Sequence, residues 1–175
     1  DAVDEALRAG VTFLQLREKE LDYESFLRLA KEIKIIADKY KVPYVINDNV
    51  DVAMACGADG VHVGQEDMDA RDVRKIIGPS KILGVSAQTV DQALRAEESG
   101  ADYIGVGSVF PTSTKPDAEA VSLETLKEIC RTVSIPVVAI GGINRDNAMK
   151  LAGSGIDGIA VVSAIFAREA IAAAV

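Results

Sequence analysis

Residues 50–64 read Val50-Asp-Val-Ala-Met-Ala-Cys-Gly57-Ala-Asp-Gly60-Val-His-Val-Gly64. Helical apolar spacing runs into a glycine stop, and a short buried strand follows at once. The hinge of this phrase returns as Gly100-Ala-Asp-Tyr103 and Gly155-Ile-Asp-Gly158, so helix and strand alternate over most of the chain. Within this stretch and on either side of it, the spacing predicts helices over residues 1–9, 23–40, 50–56, 70–77, 90–99, 123–133 and 145–152, with a last helical segment over 165–174. Strands are predicted over residues 11–16, 43–46, 60–64, 82–85, 103–106, 136–140 and 158–162. Seven strands, each preceded by a helix, are the pattern of an α/β (β/α)8 TIM barrel whose first strand is missing from the chain. The chain opens on Asp1 instead of Met, which favours a trimmed or omitted N-terminal strand over an open barrel or one closed by another chain. An open doubly wound sheet is the other architecture such alternation allows.

At 175 residues the chain fits one domain with a sizeable core and is short for two, so residues 1–175 are expected to form a single barrel domain, incomplete at its N-terminus. Nearly half the residues are apolar (49%) and few are aromatic (5%), which suits a Val, Ile, Leu and Ala interior under covering helices. A net charge of −8 opposes general attraction to nucleic acid or anionic membrane, so an anionic ligand must be drawn by a local cluster of cations. Cys56 and Cys130 have neither CxxC spacing nor histidine neighbours and read as reduced, buried thiols. No signal peptide or apolar run of membrane-spanning length is visible, and cytoplasmic residence is the simplest reading. Homo-oligomerisation is left open.

In a barrel the chemistry lies where the loops leave the C-terminal ends of the strands. Gln15, Arg17 and Lys19 alternate at one such end and share a direction; they are either a phosphate-binding set or a solvated charged edge. Asp48 and Asp67 follow the next two strands. Each alone could cap a helix, whereas the pair beside a basic loop suits magnesium, which takes one or two carboxylates and fills its other positions with water and phosphate oxygens. The longest loop holds Thr112, Ser113, Thr114 and Lys115, hydroxyls and a cation for a phosphate. Gly141-Gly142 and Val162-Ser163 form a second group, placed where barrels often bind a monophosphate. His62, the single histidine, is expected to be a hydrogen-bonded interior residue and not a catalytic base.

Six segments in register, QLREK, VINDNVDVAMACGADGVHVGQED, GVSAQT, GADYIGVGSVFPTSTK, VVAIGGI and GIAVVSAI, closely resemble the thiamine-phosphate synthase family from about Val11 to Ile165. The resemblance implies a magnesium-dependent transferase that joins hydroxymethylpyrimidine diphosphate to a thiazole monophosphate, releasing diphosphate. In that family the pyrimidine C–O bond is thought to break first, leaving a carbocation that the thiazole nitrogen captures. Carried over by motif, Gln15, Leu16, Arg17, Glu18, Lys19, Asn47, Ser86 and Lys115 would contact the pyrimidine diphosphate, with Arg17, Lys19, Ser86 and Lys115 the catalytic groups. Asp48 and Asp67 would hold Mg2+, and Thr112, Ser113, Thr114, Gly142, Val162 and Ser163 the thiazole phosphate. The chain departs from the family in lacking the first strand and in carrying Gln88 where many members have histidine. The rival readings are a thiazole tautomerase, which has a catalytic histidine where this chain has Ser108, and a non-catalytic phosphate-binding barrel.

Overall fold

The computed structural model describes residues 2–112, 120–168 and 170–175. Its elements alternate as α1 (Ala2–Ala9), β1 (Leu14–Leu16), α2 (Tyr23–Tyr40), β2 (Tyr44–Asn47), α3 (Val50–Ala55), β3 (Gly60–Val63), α4 (Ala70–Ile77) and β4 (Ile82–Ala87). They continue as α5 (Val90–Glu98), β5 (Tyr103–Val106), α6 (Leu123–Thr132), β6 (Val137–Ile140), a 3-10 turn (Ala148–Leu151), β7 (Gly158–Ala160), α7 (Ser163–Phe166) and α8 (Ile171–Ala174). The seven strands form one sheet in sequential order, every neighbouring pair parallel. A doubly wound sheet would reverse its order at a switch point, so the alternative architecture is excluded.

The sheet is curled into an incomplete barrel. Phe13, just before β1, meets Tyr103 of β5 edge to face with ring centroids 5.5 Å apart, although three strands separate them in the sheet. The chain ends also meet, with Ala6, Ile165 and Ile171 forming a small apolar cluster and Glu5 accepting a 3.1 Å bond from the Ala172 amide. Strand alternation sorts side chains between two environments. Tyr44, Ile46, Val61, Val63, Leu83, Val85, Ile104 and Val106 are buried on the face that meets the helices, where the Tyr44 hydroxyl donates to the Ala30 carbonyl of α2 at 3.3 Å. Asn47, His62, Gly84, Ser86, Tyr103 and Gly105 occupy the opposite, lumenal face, as the register Asn47↔His62↔Gly84 and Ser86↔Gly105 requires.

The repeated Gly-Ala-Asp and Gly-Ile-Asp phrases do more than stop helices. In each, the aspartate exchanges two bonds with the first or second residue of the preceding strand. Asp59 accepts from the Tyr44 amide at 2.9 Å and returns its own amide to the Tyr44 carbonyl at 2.8 Å. Asp102 does the same with Leu83 at 2.8 and 2.7 Å, and Asp157 with Val137 at 2.9 and 2.8 Å. Strands β2–β3, β4–β5 and β6–β7 are thereby clamped in pairs at the end of the sheet opposite the strands' C-terminal ends.

Helices α2 and α4 start at Asp22 and Asp69, whose carboxylates accept from the amides of Ser25 and Arg71; Asn49, Thr89 and Ser122 cap α3, α5 and α6 in the same way. Beyond shifts of one or two residues at the ends of other elements, such as β4 and β7, three predicted elements differ more. Strand pairing begins only at Leu14, whose amide reaches the Pro43 carbonyl, so residues 11–13 stay outside the ladder. The helix expected over 145–152 is reduced to the 3-10 turn because the side chains of Asn144 and Asn147 accept from nearby backbone amides, competing with helical bonding. The last segment divides into α7 and α8. Cys56 is buried and Cys130 half-buried, both unpaired. Among the described residues no helix is long and apolar enough to cross a membrane.

Candidate active site

The corner after β2 sets the first part of the site. Asp48 adopts a left-handed backbone conformation (φ 62°), tolerable for aspartate at a cost of about 1 kcal/mol. Its amide donates to the His62 carbonyl at 2.7 Å, which ties the corner to β3. The carboxylate forms an ion pair with Lys19, from the loop after β1. Because Asn49 and Asp69 cap the following helices, Asp48 and Asp67 are left for another task.

Asp67 closes its loop by accepting from the Gly64 amide at 2.7 Å. Burial, followed by the adjacent Asp48 carboxyl, pushes its pKa up, while the Gly64 amide and the Lys19 charge pull the other way. Two carboxylates crowded in this manner disfavour a second negative charge until a cation joins them. Lys19, Asp48 and Asp67, distant in sequence, thus form one cluster.

Ser86, near the end of β4, lies beside it. Its carbonyl accepts from the Gln65 side-chain amide at 2.7 Å and its hydroxyl is 2.9 Å from His62 Nε2. His62 Nδ1 is in turn 2.8 Å from the Tyr103 hydroxyl. His62 is 7% exposed and burial pushes its pKa down to about 4 against the opposing charge of Asp67, so it is the hydrogen-bonded interior residue expected. Gln15 and Arg17 are exposed at the end of β1, and Asn47 is half-buried at the end of β2. Leu16 packs on the core. Glu18 folds over its own loop, accepting from the amides of Lys19 and Glu20 at 2.7 Å each, and these bonds lower its pKa.

A second hollow of about 410 Å³ opens between the loops after β5, β6 and β7; Thr112, Gly142, Asn144, Ser163 and Arg168 line it. Three of these were expected, and Val162, 49% exposed, immediately precedes α7. Gly142 has φ 65° and sits so close to the loop after β5 that an added Cβ would lie 2.3 Å from the Pro111 carbonyl oxygen. Sequence reasoning missed Asn144, which opens the polar run Asn144-Arg-Asp-Asn147 read as a helix start, and missed Arg168, Gln65 and Tyr103. The signal for the last was the pair of strand glycines, Gly84 and Gly105, that make room for its ring and its partner. Ser113, Thr114 and Lys115 lie outside the described residues. Ser108 is buried and its hydroxyl donates to the Phe110 carbonyl, while the Gln88 amide donates to the Gln92 side chain at 2.8 Å. Another hollow of about 440 Å³, lined by Asp4, Glu5, Arg8, Ala9 and Ala172, lies between α1 and α8, away from the rim.

Residues 1–165 match the family described as thiamine monophosphate synthase. The thiamine-phosphate synthase of Ruminiclostridium cellulolyticum is 59% identical over 169 residues, covering 97% of this chain and 80% of that protein. That of Clostridium tetani is 56% identical over 167 residues, covering 95% and 80%. The solved structure of a thiamine phosphate pyrophosphorylase from Pyrococcus furiosus aligns with a TM-score of 0.92 at 43% identity, covering 99% of this chain and 83% of that one.

Proposed function

The chain belongs to the thiamine monophosphate synthase family, and on that premise we propose how its rim makes thiamine phosphate. Its activity is that of a thiamine-phosphate synthase, a transferase acting on small molecules. The pyrimidine diphosphate lies over the ends of β1 to β4, with Gln15, Arg17, Lys19, Asn47 and Ser86 around it, and the family motif assigns Lys115 to it as well. The thiazole phosphate occupies the hollow lined by Thr112, Gly142 and Ser163, with Val162 beside it, and the family motif assigns Ser113 and Thr114 to the same phosphate. As the methylene C–O bond breaks, its electron pair stays with the diphosphate and the carbon becomes a ring-stabilised cation. The thiazole nitrogen then donates its lone pair to form the new C–N bond. Arg17, Lys19 and Lys115 neutralise the charge that grows on the departing diphosphate, and positioning supplies much of the remainder.

The observation that carries the reading is the contact of Asp48 and Asp67 beside Lys19. Among the described residues no group of three or more His, Cys, Asp or Glu could hold a metal, and a pair of carboxylates is the protein share expected at a magnesium–diphosphate site. Asp48 and Asp67 fit the ion and would hold it; bound there, Mg2+ would offset diphosphate charge. Lys19, paired with Asp48, is placed to turn toward the phosphate when the ion joins the carboxylates. A tautomerase would need a proton carrier at Ser108, where the chain has a hydroxyl already bonded to a carbonyl. The unpaired thiols of Cys56 and Cys130 suit a reducing, cytoplasmic setting.

The test is diphosphate release by this chain with both substrates present, with and without magnesium, in wild type and Asp67→Asn. Release should require the thiazole phosphate and the metal, and the variant should need far more magnesium. Metal-independent release, or an unchanged magnesium requirement in the variant, would overturn the assignment.

A further inference from the structure

Tyr103, His62 and Ser86 form a line of hydrogen-bonding side chains across three adjacent strands inside the barrel. The line occupies space left by two glycines. A methyl group on Gly84 would come within 2.2 Å of the Tyr103 ring and 2.4 Å of His62 Nδ1, and one on Gly105 within 3.0 Å of His62 Cε1.

Proton accounting fixes the direction of the line. The Tyr103 hydroxyl has one proton, and the bonding partner found for it is His62 Nδ1 at 2.8 Å. Were Nδ1 protonated, in the other neutral tautomer or in the cation, the imidazole would donate to the phenol oxygen and leave the phenol proton without a protein acceptor among the described residues. Nδ1 therefore accepts and the ring proton sits on Nε2, which donates to Ser86 Oγ at 2.9 Å. With His62 as its donor, the Ser86 hydroxyl must turn its own proton away from the imidazole. The Gln65 amide holds the same residue by its carbonyl at 2.7 Å.

We propose that Tyr103 and His62 are positioning residues that fix the Ser86 hydroxyl as a hydrogen-bond donor toward the departing diphosphate. This rests on the reading that Ser86 contacts the pyrimidine diphosphate. The polarity matters because negative charge grows on the diphosphate oxygens as the C–O bond breaks: a donor there strengthens in the transition state, while a hydroxyl presenting only lone pairs would oppose departure. Tyr103 and His62 touch neither substrate and act through Ser86.

Two measurements test the relay. Nitrogen-15 NMR of the single imidazole, at neutral pH, should show a pyrrole-type Nε2 and a pyridine-type Nδ1; the reverse assignment, or two protonated nitrogens, overturns it. In kinetics, Tyr103→Phe keeps the ring and removes the hydroxyl, and should lower kcat about tenfold with little change in KM for either substrate. In a Ser86→Ala background the same change should have no further effect, because its only route to the chemistry is gone. Equal losses in both backgrounds would make Tyr103 merely structural and overturn the relay, as would an unaltered kcat in Tyr103→Phe while Ser86→Ala is slow. If Ser86→Ala itself releases diphosphate at the wild-type rate, the reading of Ser86 fails and the relay falls with it.

Discussion

Acidification from about pH 7.5 to about pH 4 perturbs one imidazole in this protein, because His62 is its only histidine. In the fold the ring is 7% exposed, and burial takes its pKa from 6.5 to about 4. The folded value lies below the unfolded one, so the unfolded chain binds the proton more tightly. The stability associated with a neutral His62 is therefore complete above pH 6.5 and is lost as pH falls toward about 4. The slope is at most about 1.4 kcal/mol per pH unit, and over that window the loss approaches about 3 kcal/mol. Asp67 works in the opposite sense, since its raised pKa makes protonation favour the fold at low pH. Comparison of wild type with His62→Gln largely cancels that and the other carboxylate contributions. Urea unfolding followed by far-ultraviolet circular dichroism suits a chain without tryptophan. Between pH 7 and 4 wild type should lose about 3 kcal/mol more than the variant. Parallel stability curves, or a native-state imidazole that titrates near 6.5, would show that burial does not hold His62 neutral.

Gly84→Ala should destabilise the fold by about 2–4 kcal/mol, overpacking plus a broken buried hydrogen bond, because the new methyl would lie 2.2 Å from the Tyr103 ring; a thermal melt within a degree of wild type would contradict the packing described. Asp59→Ala removes the acceptor of the Tyr44 amide, a loss of about 1–3 kcal/mol, and hydrogen exchange at that amide should accelerate while the rim amides keep their protection. Lys115→Ala is expected to lower the turnover of diphosphate release by on the order of 10²-fold; an unchanged rate would remove Lys115 from the charge-stabilising set.

Much of the frame was legible because its signals are local. The predicted bounds of α2, α4 and β5 coincide with those observed, since amphipathic spacing and the residues that punctuate it lie within a few positions of what they determine. The sharing of duties between neighbours was harder to read. Asp48 and Asp67 could each have been caps, and only coordinates show that Asn49 and Asp69 hold those positions. The match in rim motifs anticipated that Lys19, Asp48 and Asp67 would converge, whereas periodicity alone carries no information about which lumenal side chains meet. His62 and Tyr103 are 41 positions apart, and the Asn144–Asn147 bonds that shorten a predicted helix depend on side-chain geometry that an apolar pattern does not encode.

The aspartate clamps have a consequence for how this chain can be cut and rejoined. Asp59, Asp102 and Asp157 bind strands two by two, making three strand doublets that are stitched to one another by main-chain contacts and helix packing. Breakpoints between β3 and β4 or between β5 and β6 would leave every doublet whole, and new termini placed there should be tolerated in circular permutants. A break between β4 and β5 would remove the covalent link within a doublet, leaving Asp102 and Leu83 to find each other across the new termini, and that permutant should fold least well.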